Sequence, residues 1–139
     1  MTTKTYTLTV TENQARIIAH AVELMSRIQM GQWTEFVDWL PHQGKFCRHS
    51  LREQLQPAMA EHFRKTKPAG MFYPIDGWGS HYGIYSEFTP DMARTAWDLQ
   101  KVIQHRLAWD RNPEGGFTVD FDEPAHAGEE PLAVMKQVL

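Results

Sequence analysis

Cysteine occurs once in this chain, at Cys47, which excludes an intrachain disulfide and any zinc site built on several thiolates. Long apolar runs are missing as well. No stretch of about 18 apolar residues occurs, and the opening MTTKTYTLTV has no apolar core of the kind a secretion signal carries, so the sequence predicts neither a membrane span nor a signal peptide. Basic residues are in deficit, with 14 Lys and Arg against 17 Asp and Glu and a net charge of -3. That balance argues against general binding to a nucleic-acid backbone, which takes a surplus of cations, but leaves room for a few basic groups around one small anion. The chain is expected in the cytoplasm.

Motifs for catalysis are also scarce. The seven histidines are scattered, with no H-E-x-x-H spacing to hold a metal. There is no G-x-S-x-G nucleophile turn, and Cys47 between Phe46 and Arg48 is a faint sign of an activated thiol. The phosphate-loop pattern G-x-x-x-x-G-K-[ST] is absent. These gaps predict a protein without catalytic residues, metal or cofactor.

What is present suits one globular domain over residues 1–139, long enough to bury roughly 68% of its unfolded surface. Residues 4–10 alternate, Tyr6, Leu8 and Val10 against Thr5, Thr7 and Thr9, which predicts a half-exposed strand. Thr11 and Gln14 then form a capping box ahead of a helix whose apolar positions are Ile17, Ile18, Ala21, Val22, Leu24, Met25 and Ile28. Arg16, His20, Glu23 and Arg27 fall on its other side as a solvated face. Gly31 closes this helix, a short one follows up to Leu40, and Ser50 with Glu53 opens a third that reaches about Lys65 with a break or kink at Pro57. Thr89 as N-cap and Pro90 as first residue open a long C-terminal helix, with Met92, Ala96, Leu99, Ile103 and Leu107 inward and Arg94, Asp98, Lys101, His105 and Arg106 on its flanks. FTVDF at 117–121 and LAVMKQVL at 132–139, the latter with Leu132, Val134 and Val138 as inward candidates, alternate as strands, although the last segment fits a helical turn equally. The sum is an α+β fold: an N-terminal strand, several helices and a small antiparallel sheet.

The segment YPIDGWGSHYGIYSEF at 73–88 is rich in rings and glycine and poor in aliphatic residues. Phe72, Tyr73, Trp78, Tyr82, Tyr85 and Phe88 crowd together here, among glycines that let a ligand approach the backbone. Rings of this kind pack helices against a sheet or fill a subunit interface, and they also stack on a nucleobase for about 1–3 kcal/mol per base. Arginines stand nearby to hold phosphates: Arg94, Arg106 and Arg111 on or after the next helix, and Arg48, Arg52, Arg64 and Lys67 before the segment. The candidate ligand site is therefore Tyr82, Trp78 and Tyr85 as stacking rings, His81 between them, and Arg94, Arg106 and Arg111 as phosphate holders.

Three blocks, TLTVTENQARIIAHAVELMSRIQMGQW, HYGIYSEFTPDMARTAWDLQKVIQHRLAWDR and VDFDEP, together cover about half of the chain. They resemble a family of small phage and prophage proteins, the type 1 Thoeris anti-defence proteins. The resemblance implies a non-enzymatic sponge in the host cytoplasm that takes up cyclic ADP-ribose isomers, or cyclic oligonucleotides, in pockets between subunits of a homo-oligomer. Such pockets use an aromatic residue and arginines of the long C-terminal helix, which Tyr82 and Arg106 match by position. The match leaves the choice of ligand open.

Two rival expectations stand beside this one. A small enzyme could degrade such a nucleotide, with His81 or His105 as acid and base and Asp76, Glu87 or Asp98 assisting. A phage interaction protein could instead block a protein partner through its aromatic surface.

Overall fold

The computed structural model describes residues 3–32, 34–40, 48–66 and 83–138. Regular structure among them is helical: α1 at Glu12–Gln29, α2 at Thr34–Trp39, α3 at Arg48–Thr66, α4 at Asp91–Arg111, and one 3-10 turn at Val119–Phe121.

The start of α1 follows directly from its sequence. The Gln14 N–H donates to the Thr11 hydroxyl at 3.2 Å, and the Thr11 N–H donates to the Gln14 side chain at 2.9 Å, so two N–H groups that the helix cannot satisfy internally are paired. At the other end the chain turns at Gly31, whose φ of 87° suits a residue without Cβ. Its N–H closes on the Ile28 carbonyl at 3.0 Å.

Helices α1 and α4 pack against each other and form the main core. They run antiparallel: Ser26, near the end of α1, donates its hydroxyl to the Ala93 carbonyl at the start of α4, at 2.7 Å, while Ala15 and Ala19 meet Ile103 and Leu107. Val10, Ile18, Leu99 and Met135 close the margins of that cluster. Small residues on α1 set the approach. Because Ala15, Ala19 and Ser26 form its buried face, the larger Ile17, Met25 and Ile28 are left exposed on the far side. The sequence pattern predicts these large residues as the inward ones, and the structure reverses that assignment. On α4 the expected inward residues Ala96, Ile103 and Leu107 are buried and Leu99 is partly so, whereas Met92 is exposed.

The remaining helices are attached more lightly. Helix α2 touches α1 and α3, and its Val37 is fully buried while Phe36 and Trp39 stay half-exposed. Helix α3 continues through Pro57 as a single helix and starts before Ser50, so Ser50 lies in its first turn, where its hydroxyl accepts from the Gln54 side chain at 3.3 Å.

Several expectations are corrected here. The α+β fold is replaced by an all-helical one, because no strand or sheet occurs among the described residues. Residues 4–10 form no strand: Tyr6 and Leu8 are 89% and 74% exposed, and no strand among the described residues takes up the backbone groups. FTVDF coils into the 3-10 turn, with Phe121 turned toward α4 while Phe117 and Val119 face out, so its alternation marks no single buried side. Residues 131–138 have no regular structure, and only Leu132 and Met135 turn inward while Val134 is exposed. Thr89 does not cap α4. Pro90 holds that position, and the Thr89 hydroxyl instead donates to the Gly83 carbonyl at 2.5 Å, closing a compact turn.

The last segment is held to α4 by a buried carboxylate. Asp98, expected on a solvated flank, accepts the Ala127 N–H at 2.8 and 2.9 Å on its two oxygens and the Gly128 N–H at 2.8 Å. Among the described residues, no helix is long and apolar enough to cross a membrane.

Candidate functional site

The C-terminal end of α4 and the chain that returns from it enclose a cleft of about 190 Å³, lined by His105, Arg106, Trp109, Phe121 and Glu123. Helical spacing puts Trp109 one turn beyond His105 and Arg106, so these side chains leave the helix close together. After Arg111 the chain reverses. Asn112 donates its side-chain amide to the Gly115 carbonyl at 2.7 Å, and the Gly115 N–H returns to the Asn112 carbonyl at 3.0 Å. Gly115 has a φ of 88°, and a Cβ there would stand 3.4 Å from the Trp109 ring, so the turn lies close over the indole.

Two hydrogen bonds hold the returning segment in place. The Trp109 indole N–H donates to the Phe121 carbonyl at 3.1 Å, and His105 Nδ1 lies 3.0 Å from the Asp120 carbonyl. A carbonyl oxygen only accepts, so Nδ1 carries a proton in this contact. The indole and the Phe121 ring meet edge to face, with centroids 5.4 Å apart and planes at 79°; His105 stands edge-on to the same indole at 6.4 Å. Aromatic surface and hydrogen-bonding groups thus share one small space.

The charges favour neither a strong cation nor a strong anion. Arg106 forms an ion pair with Asp110 at 2.5 Å, which takes up much of its charge, and Glu123 adds a carboxylate to the wall. The Arg106 Nε is nevertheless buried without a hydrogen-bond partner. A buried N–H without a partner costs about 1–3 kcal/mol.

The expected site residues divide between two ends of α4. Arg106 is in the cleft. Arg94 is about 18 Å away along the helix, given 1.5 Å per residue, and donates through Nη2 to the Ser86 carbonyl at 2.6 Å. Tyr85 precedes Ser86 and is 70% exposed, so an open ring sits in the turn that Arg94 braces. Arg111 is exposed beyond the cleft. Trp78, His81 and Tyr82 lie outside the described residues, as does Asp76. One chain therefore does not gather Arg94, Arg106 and Arg111 around a single ligand.

Sequence reasoning overlooked Trp109, Phe121 and Glu123 as partners of Arg106. The one available signal was the four-residue spacing of His105 to Trp109 and of Arg106 to Asp110, which places an aromatic and an ionic pair side by side at the helix end. Phe121 and Glu123 carried no such signal, since only the reversal after Arg111 brings them back. Asp98, one assisting acid of the rival enzyme, is occupied by two backbone N–H groups instead.

Among the described residues, no group of three or more His, Cys, Asp or Glu is placed to hold a metal ion. Comparison with protein-family models, curated proteins and solved structures finds no match to this chain.

Proposed function

We propose that this protein binds and sequesters a small nucleotide-derived signalling ligand without transforming it, a cyclic ADP-ribose isomer or a cyclic oligonucleotide, and so counters antiphage defence in the host cytoplasm. The observation that carries this reading is the cleft in which Arg106 stands beside two aromatic walls, Trp109 and Phe121. A ring that stacks and a guanidinium that donates are the elements a nucleotide site needs. At the other end of α4, Arg94 holds the Ser86 carbonyl, and the exposed Tyr85 next in sequence adds a ring to that turn.

The proposal includes self-association. Ile17, Ala21, Leu24 and Ile28 repeat at helical spacing along the outer side of α1, and this stripe is wholly or partly exposed beside Phe36 and Trp39 of α2. Burying it between copies would remove that apolar surface from water and bring ring and guanidinium pairs of different chains within reach of one ligand.

Thermal unfolding in the presence of cyclic ADP-ribose isomers and cyclic di- and trinucleotides tests the proposal. A ligand at 100 times its Kd stabilises the fold by about 2.7 kcal/mol, which is read as a clear rise in Tm. Absence of any rise across the panel would overturn it. The second reading, hydrolysis of the ligand, draws on His105 and Glu123, which line the same cleft. Chromatography of the ligand released by heat decides between them: intact ligand supports sequestration and products support the enzyme.

A further inference from the structure

The cleft at the end of α4 has a chemistry narrower than the general reading above, on which the following rests. Its volume of about 190 Å³ is below the range of roughly 300–1,000 Å³ for sites that enclose a whole drug-sized ligand. A space of that size fits about one ring system. The hydrogen-bonding residues that line it are Glu123, whose carboxylate only accepts, His105, and Arg106, whose guanidinium is paired with Asp110. The carboxylates of Glu123 and Asp110 oppose a phosphate, while Asp110 already neutralises Arg106.

We propose that this cleft binds the amino-bearing edge of a nitrogen heterocycle, the adenine type, and excludes phosphate. The exocyclic amine donates to Glu123 or His105, and a ring nitrogen accepts from Arg106. One flat face lies on the indole, and the edge of the heterocycle meets the Phe121 ring, which stands at 79° to the indole. Carboxylates read amino groups of bases in this way wherever they face a base edge, and a well-placed pair of hydrogen bonds discriminates by about 1–3 kcal/mol. Arg106 thus changes role: the sequence marks it as a phosphate holder, and its surroundings make it a donor to a base. Phosphates of the same ligand remain outside the cleft.

The test is titration calorimetry of the full chain with adenosine, inosine and inorganic pyrophosphate, alongside the cyclic nucleotides. Inosine replaces the amine by a carbonyl. Adenosine is expected to bind and inosine to bind about tenfold more weakly or not at all. Glu123→Ala, with unchanged circular dichroism, is expected to weaken adenosine about tenfold and remove the preference over inosine. Pyrophosphate is expected neither to bind nor to compete. Equal affinity for adenosine and inosine, competition by pyrophosphate, or indifference of adenosine to Glu123→Ala overturns the inference. Cyclic nucleotides that bind while adenosine does not overturn it too and leave the sequestration reading intact; a silent panel throughout removes both.

Discussion

The carboxylate of Asp98 and the N–H of Gly128 meet at 2.8 Å across 30 residues of chain. With the Ala127 N–H on the same carboxylate, this contact anchors the irregular C-terminal segment to the middle of α4. Asp98 is buried, so replacing it by alanine strands two N–H groups away from water. Asp98→Ala is expected to lose about 2–4 kcal/mol in urea unfolding, with the C-terminal amides showing faster hydrogen exchange. A loss under about 0.5 kcal/mol would show that the segment is held by other means.

Gly128 lies so close to α4 that an added Cβ would stand 2.7 Å from the Thr95 hydroxyl and 2.9 Å from its backbone nitrogen. A hydroxyl can rotate aside, but the helix backbone cannot. Gly128→Ala is therefore expected to cost about 1–3 kcal/mol, and combined with Asp98→Ala to cost less than the sum, because both loosen one contact. A double-mutant cycle in urea measures this.

Gln100 is 1% exposed, and its amide oxygen and nitrogen have no hydrogen-bond partner. Burial of such an amide opposes folding, whereas methionine has nearly the same length and no polar group to satisfy. Gln100→Met is expected to raise stability by about 1–2 kcal/mol, seen as a higher Tm. A fall in Tm would mean that the amide finds a partner in solution.

Arg106 pairs with Asp110 one helical turn away, on a side chain that remains partly exposed, and such pairs add little to stability. Arg106→Ala is expected to shift the unfolding free energy by less than about 1 kcal/mol while weakening the best nucleotide ligand about tenfold. Calorimetry at matched protein concentration checks both numbers. Retained affinity would move the site away from this cleft.

Ile17 is 67% exposed at the outer stripe of α1. Ile17→Glu is expected to leave monomer stability within about 0.5 kcal/mol and to lower the assembly state in sedimentation equilibrium. An unchanged assembly would place self-association on another surface.

Local signals in the sequence were legible where the interactions themselves are local. The Thr11 and Gln14 capping box is formed as its spacing predicts, and α1 ends at Gly31. The extent of α4 agrees with its 3.6-residue period and with the stop at Asn112 and Pro113. Alternation misled at 4–10, at 117–121 and at 132–139, because period two describes a strand only where another strand lies alongside. Of the expected site residues Arg106 lines the cleft, but the rings beside it are Trp109 and Phe121, while Tyr82 and Trp78 lie outside the described residues.

By itself the sequence determined the start of α1 at Thr11 and Gln14 and its stop at Gly31, since a capping box and a glycine turn act over three or four residues. It also set the kinds of group available: few thiols, a slight acidic excess, many rings and a handful of arginines. Tertiary structure alone decided which face of α1 is buried, because that depends on Ala15, Ala19 and Ser26 fitting against α4 rather than on which residues are most apolar. It alone brought Phe121 and Glu123 back to Arg106, through a reversal at Asn112–Gly116 that places residues distant in sequence on one wall. Burial and neighbourhood are properties of the packed chain, so one side chain such as Asp98 is a solvated charge by its pattern and an anchor by its position.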